Sequence, residues 1–309
     1  MDPYSRVGSD AMARIRYDRL PTERANPRSR ALDMLSPVAI ARLMNRADRD
    51  ALRAVGRAAP AVGRAVTAIV ARLARGGRLI FVGAGTSGRL GVIEAAECPP
   101  TFNTGPGQVQ ALMAGGRRAV FRSLEGAEDD ARAGVRAIRA RARRGDAVVG
   151  IAASGVTPFV RAALTEARRR GAVTILVTCN PSVPRAAARV IIALRVGPEV
   201  LAGSTRLKAG TATKLALNTL TTAAFTRLGK VHGNRMVDLQ PKSAKLRARA
   251  RRLVSDLGRV SAERAATLLA EAGGSAKVAV VMARRRVTAD EARRRLRAAG
   301  GFLGPAAGI

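Results

Sequence analysis

Gly83-Ala84-Gly85-Thr86-Ser87-Gly88-Arg89 follows the apolar run Leu79-Ile80-Phe81-Val82, and Glu97-Cys98-Pro99-Pro100-Thr101 comes shortly after it. The order reads as strand, glycine-rich turn, helix. Glycines such as Gly85 let backbone N–H groups close on an anion, and a helix N-terminus adds partial positive charge. Thr86 and Ser87 bring two hydroxyls into the same turn, and Glu97 falls two to three helical turns further on. Together these residues point to a small phosphorylated substrate with an acid or base held beside it.

The loop also spells G-x-G-x-x-G, which raises a dinucleotide reading. A nicotinamide site requires an acidic residue about 20 positions on, at the end of the second strand, to hold a ribose hydroxyl. The second strand is expected at Gln108 to Met113, followed by Ala114-Gly115-Gly116, and no Asp or Glu lies there. A monophosphate is therefore preferred to a nucleotide, with a structural tight turn as the bland alternative.

Acids are scarce in this chain, at 22 against 55 Lys and Arg for a net charge of +33, so their placement is informative. Glu94, Glu97, Glu125, Glu128, Asp129 and Asp130 crowd into one stretch. The basic residues are instead spread along helices without interleaved aromatics or zinc-ligand spacing. The charge reads as compositional, attracts anionic substrates, and predicts no specific nucleic-acid partner. Aromatics make up 3% and Trp is absent, so the core must be built from Ala, Val, Leu and Ile. No run is expected to span a bilayer, and Met1 to Leu20 lacks an apolar signal core. Two cysteines, Cys98 and Cys179, suit a reduced, cytoplasmic protein and read as packing residues, as does the one His, His232.

Along the chain, residues 1–20 read as a basic tail. Ser36-Pro37 is a helix start, with Ser as N-cap and Pro at the first helical position. The helical pattern runs to about Arg75, with a break expected near Ala59-Pro60. Strands are then expected near 78–82, 108–113, 146–152, 173–178 and 190–195, and helices near 88–96, 117–124, 127–143, 158–170 and 205–228. This alternation predicts an α/β fold with a mostly parallel sheet sandwiched by helices. Ligands bind such sheets beyond the carboxyl ends of the strands. Three hydroxyl-bearing turns fall there: the Gly83 loop, Ala153-Ser154-Gly155-Val156-Thr157-Pro158, and Gly203-Ser204-Thr205-Arg206-Leu207-Lys208. Each alone could be a helix cap; together they point to a sugar-phosphate pocket. From about Ser243 the chain reads as a small helical bundle, with segments near 243–257, 261–272, 275–285 and 288–298. The expected domains are 21–240 and 241–309.

These residues carry a family resemblance. The matching stretches are Thr22-Glu23 with Asn26-Pro27; GAGTSGRLGV at 83–92; ECPPTF at 97–102; EGAEDD at 125–130; GIAASG at 150–155 with Thr157-Pro158; CNP at 179–181; VGPEV at 196–200; GSTRLKAGTA at 203–212; and GK-x-x-GN-x-MVD at 229–238. They resemble the N-acetylmuramic acid 6-phosphate etherases of the sugar isomerase (SIS) superfamily. Val156 stands where that family often has Arg, Arg235 where Leu is common, and Pro241-Lys242-Ser243 replaces its usual Ala-Thr-Asn.

The resemblance implies a SIS fold with a small C-terminal bundle, a homodimer, no cofactor, no metal and no membrane partner. It implies cleavage of the D-lactyl ether of a phosphorylated amino sugar, by elimination and hydration, in cell-wall sugar recycling. Such chemistry needs carboxyl groups whose environments separate their pKa values. By family position Glu97 corresponds to the general acid for departing lactate. Glu128 corresponds to the second carboxylate, the base, with Glu125, Asp129 and Asp130 as close competitors. Gly85, Thr86, Ser87, Ser154, Thr157, Ser204 and Thr205 resemble substrate-binding positions. Lys208 either neutralises phosphate or the lactyl carboxylate, or is a helix-surface lysine. The alternative function is a non-catalytic sugar-phosphate-sensing regulator of the same superfamily.

Overall fold

Five short, mostly apolar segments of the chain form a single parallel sheet. The computed structural model describes residues 20–239, 241 and 243–309. The expected tail, apart from Leu20, and Lys242 lie outside the described residues. The chain divides into two compact units. One is formed by residues up to Ala95 and by Val109–Leu220, the other by Ala96–Gln108 and Thr221–Ile309.

In the first unit, β1 (Leu79–Gly83), β2 (Val109–Met113), β3 (Ala147–Ile151), β4 (Val173–Thr178) and β5 (Val190–Ala193) are ordered β2-β1-β3-β4-β5. Every residue of β1, β3 and β4 is buried. Helices on both faces of the sheet account for these continuous apolar runs. Gly83 is level with Met113 on one side and Ile151 on the other, and Ile151 with Val177. The turns after β1, β2, β3, β4 and β5 therefore leave one edge of the sheet. The order reverses between β1 and β3, where crevices form in sheets of this order.

Helix α1 (Pro37–Leu73) opens on the Ser36 cap, whose Oγ accepts from Ala39 N at 3.3 Å. The break expected near Ala59-Pro60 does not occur: the helix passes through Pro60. An interior proline costs ~3 kcal/mol or more. Val62, Val66, Ile69 and Leu73 are buried on the same stripe as Ala51, Ala54 and Ala58, and burying each large aliphatic returns about 1.5–3 kcal/mol. The stripe outweighs the proline. Against expectation, α1 is also long and apolar enough to cross a bilayer, with a mean hydropathy of 1.2 over its best window. Its apolar side instead packs on β3, β4 and β5.

Helix α2 (Gly85–Phe102) follows β1, and runs on through Pro99 and Pro100 rather than stopping near residue 96. A single turn, α3 (Arg118–Phe121), precedes α4 (Ala131–Arg141). α4 packs on α5 (Pro158–Arg169), which covers one face of the sheet through Phe159, Val160 and Leu164. α6 (Lys208–Arg227) follows β5.

The second unit holds a short hairpin, β6 (Val231–His232) and β7 (Arg235–Met236), and the helices α7 (Ala244–Gly258), α8 (Ala262–Glu271), α9 (Ala276–Arg285), α10 (Ala289–Ala298) and α11 (Leu303–Ala307). Ser243, Ser261, Ser275 and Thr288 cap α7 to α10, each hydroxyl accepting the N–H three residues on. Buried Lys277 donates to Gly229 O and Gly301 O, both at 2.9 Å, tying the hairpin to the helices.

Candidate active site

The turn after β1 is built by close backbone approach. A Cβ on Gly88 would lie 2.8 Å from Gly83 O and 2.9 Å from Met113 Cγ, so the strand and the helix meet only because no side chain intervenes. The Gly88 N–H donates to Ala84 O at 3.0 Å. The N–H groups of Gly85, Thr86 and Ser87 precede that bond, at the positive end of α2. Thr86 and Ser87 are half-buried, and Gly85 is exposed with φ +51°. Thr86 Cγ2 lies 3.7 Å from the Cβ position of Gly210, so this turn adjoins the first turn of α6.

Ala84 and Gly85 share a cleft of about 140 Å³ with Arg89, Ser123, Glu125, Gly126 and Glu128. The structure thus brings the glycine loop and the acidic motif to one place. Arg89 fixes the approach, donating to the carbonyls of Val120 and Ala119, both at 2.9 Å. The four competing acids separate by their surroundings. Asp130 caps α4, accepting from Ala133 N at 2.7 Å, and pairs with Arg136 at 3.4 Å. Glu125 accepts from Ser123 Oγ at 3.1 Å. Glu128 lines the cleft, and its carbonyl accepts from Phe159 N at 3.0 Å, pinning it to the start of α5. Partial desolvation, then the charges of Asp129 and Glu125, raise its carboxyl above the ordinary glutamate range. Among the described residues no lysine or arginine forms an ion pair with Glu97, Glu125 or Glu128.

Ser154 sits in the turn after β3. Gly155 has φ +72°, and a Cβ there would meet Val183 and Thr178. Ser154 Oγ accepts from Val156 N at 3.3 Å, and Asn180 Nδ2 donates to Ser154 O at 3.0 Å. The Cys179-Asn180-Pro181 motif therefore shapes this turn. Thr157 starts α5 without using its hydroxyl as a cap. Cys179 is buried, which pushes its thiol up to about 12 and leaves it inert. His232 is half-buried on β6.

Ser204 and Thr205 are half-buried in the connection from β5 to α6. Lys208 is not a surface lysine: it is 1% exposed and donates from Nζ to Val196 O at 2.8 Å. Glu199, a residue to which the sequence assigned no role, is fully buried at 0% exposure. Its two oxygens accept from Lys208 N at 3.0 Å and Ala209 N at 2.8 Å. Burial lifts its carboxyl above the usual range, against those two N–H groups and the Lys208 charge. The signal was its place in VGPEV, an acid inside an apolar run.

Glu97 lies towards the end of α2, exposed, in the part of that helix that belongs to the second unit. Glu94, one turn earlier, is buried and accepts from Asn218 of α6.

Comparisons with known proteins show the family of the chain. A model described as the glucokinase regulatory protein N-terminal SIS domain matches residues 61–168, and one described as the SIS domain matches residues 129–223. An N-acetylmuramic acid 6-phosphate etherase of Synechococcus sp. is 50% identical over 277 residues, spanning 89% of this chain and 88% of the relative. Another, of Symbiobacterium thermophilum, is 52% identical over 268 residues, spanning 86% and 89%. A third, of Rubrobacter xylanophilus, is 50% identical over 286 residues, spanning 92% and 95%. Identity of that order, sustained across both compact units, places the chain in the N-acetylmuramic acid 6-phosphate etherase family.

Proposed function

We propose that this chain cleaves the D-lactyl ether of N-acetylmuramic acid 6-phosphate, giving N-acetylglucosamine 6-phosphate and D-lactate in cell-wall sugar recycling. The observation that carries the mechanism is Glu128: an acid that has no basic partner among the described residues of a strongly basic chain, and that shares a cleft with the glycine loop.

In the ring-opened sugar the aldehyde acidifies the proton on carbon 2. Glu128 removes it, the carbon 3–oxygen bond breaks, and Glu97 gives its proton to the departing lactate oxygen. Water adds to carbon 3 of the unsaturated aldehyde, and a proton returns to carbon 2. A base with a raised pKa holds the abstracted proton better. Gly85, Thr86, Ser87, Ser154, Thr157, Ser204 and Thr205 hold the sugar phosphate. The protein works as a homodimer in the cytoplasm.

A second reading, a non-catalytic sugar-phosphate sensor, draws on the match to the glucokinase regulatory protein domain. Both carboxylates would be superfluous in a sensor. Lactate release from N-acetylmuramic acid 6-phosphate by the purified protein decides between them: release establishes the etherase, and phosphosugar binding without release establishes the sensor.

A further inference from the structure

The connection from β5 to α6 is closed at its base by buried groups that none of the proposed chemistry uses. Glu199, at 0% exposure, takes the N–H groups of Lys208 and Ala209 on its two oxygens. First-turn donors of this kind are ordinarily left to water or to a neighbouring cap residue. Here the acceptor comes from the far side of the loop. Lys208 adds a third tie, Nζ to Val196 O at 2.8 Å, and lies 3.6 Å from Asp50 on α1, which Arg28 also holds at 2.6 Å. The N-terminal segment straps the outside: Asn26 Nδ2 donates to Pro198 O at 3.2 Å, and Gly203 N donates to Thr22 O at 3.0 Å. Within the loop so closed, Leu201 is exposed and Ser204 and Thr205 are half-buried.

We infer that Glu199 is a positioning residue, and Lys208 its partner: together they buckle the loop that presents Ser204 and Thr205 to the sugar phosphate, without touching the substrate themselves. This rests on the phosphosugar reading above. It moves Lys208 from the substrate's anion to the loop's foundation, because its amine is buried and already bonded. It also brings Thr22, Asn26, Glu199 and Lys208, distant in sequence, into one set of contacts.

The test uses the full chain and the variants Glu199→Gln, Glu199→Asp, Ser204→Ala and Glu199→Gln/Ser204→Ala. Glu199→Gln sets an amide N–H₂ against a backbone N–H. Amide exchange at Lys208 and Ala209 is expected to quicken, while the amides of β3 stay protected. KM is expected to rise roughly tenfold or more, the scale of a lost hydrogen bond to a charged group, with kcat little changed. The double variant is expected to be no worse than the more damaging single one, because both act through one loop. Glu199→Asp, which keeps the charge on a shorter arm, should fall between. Should Glu199→Gln fail to fold, seen as lost β3 protection, Glu199→Asp carries the same comparison. Faster exchange at Lys208 and Ala209 with unchanged KM, or additive losses in the double variant, overturns the proposal. Binding of N-acetylglucosamine 6-phosphate is measured alongside. An unaltered protein that binds it but releases no lactate defeats the etherase reading alone, whereas binding untouched in Glu199→Gln defeats the buckle alone.

Discussion

The connection after β2 and the connection after β5 leave the same edge of the sheet, and each carries a carboxylate, but the two are treated in opposite ways. Glu128 stands exposed at a cleft with no basic partner among the described residues, its proton affinity raised by partial desolvation and then by the charges of Asp129 and Glu125. Glu199 is sealed from water and saturated by two backbone N–H groups. In a chain with 55 basic residues an acid finds a partner easily, as Asp146 does with Arg78 at 2.7 Å and Glu166 with Arg139 at 3.1 Å. An acid left unpaired at a cleft keeps a lone pair available for proton transfer. An acid buried against backbone donors holds the chain in place. On the proposed roles, exposure and partnership separate chemistry from support.

The largest effect is expected at Glu97. Glu97→Gln keeps the shape and removes the proton donor, so lactate release should fall about 10²–10⁴-fold while N-acetylglucosamine 6-phosphate still binds. Turnover like that of the unaltered protein would return Glu97 to the role of a surface charge.

Next come the hydroxyls of the sheet edge. Ser87→Ala and Ser154→Ala should each weaken phosphosugar binding by about 1.5–3 kcal/mol, measured by calorimetry. Unchanged affinity in both would move the phosphate elsewhere.

A subtler effect tests the environment of Glu128. Removing a neighbouring negative charge, by Glu125→Gln or Asp129→Asn, makes its carboxylate easier to form and lowers its pKa. With Glu128 as the base, the acid limb of kcat/KM is expected above the ordinary glutamate value of 4.5 and should move to lower pH in both variants. A limb that stays in place would mean that another group is the base.

The smallest effect belongs to a paired acid. Burial works to raise the Glu166 carboxyl, but Arg139 and Arg169 outweigh it, and the net shift is downward. Its stabilisation is therefore complete above pH 4.5 and lost as the pH falls through the lowered folded value. Glu166→Gln should cost about 1 kcal/mol at neutral pH, since the arginines are half exposed, with activity retained. Denaturant melts at neutral and at acid pH check the sign: the deficit should shrink in acid.

Much of the scaffold was legible because β1, β3 and β4 are buried on both faces and so read as apolar runs. All five strands lie where they are expected, and Ser243, Ser261, Ser275 and Thr288 announce their helices by cap chemistry. What local rules missed was decided by contacts distant in sequence. Pro60 reads as a break until the buried stripe of α1 is seen against the sheet. The helix expected near 88–96 likewise runs further, through Pro99 and Pro100 to Phe102. The acidic motif was expected inside a helix, whereas Asp130 is the cap and the helix begins after it. The two-residue strands of the hairpin and the single turn α11 are too short to leave a period. Of the site, the glycine loop and the acids were legible as types. The burial of Glu199 and Lys208 was not, because it depends on Val196, Asp50 and the N-terminal strap arriving together.

In the proposed mechanism the hydroxyl-rich edge binds a phosphate so that Glu97 and Glu128 can act on carbons 2 and 3. Binding energy from a remote group positions the reacting atoms, so losing it lowers turnover as well as affinity. Steady-state lactate release from N-acetylmuramic acid, with and without its 6-phosphate, tests this most directly. Efficient cleavage of the phosphorylated sugar, with the unphosphorylated one a poor substrate in both kcat and kcat/KM, is the result predicted. Comparable efficiency on the two sugars would contradict the account and reduce the glycine loop to a tight turn.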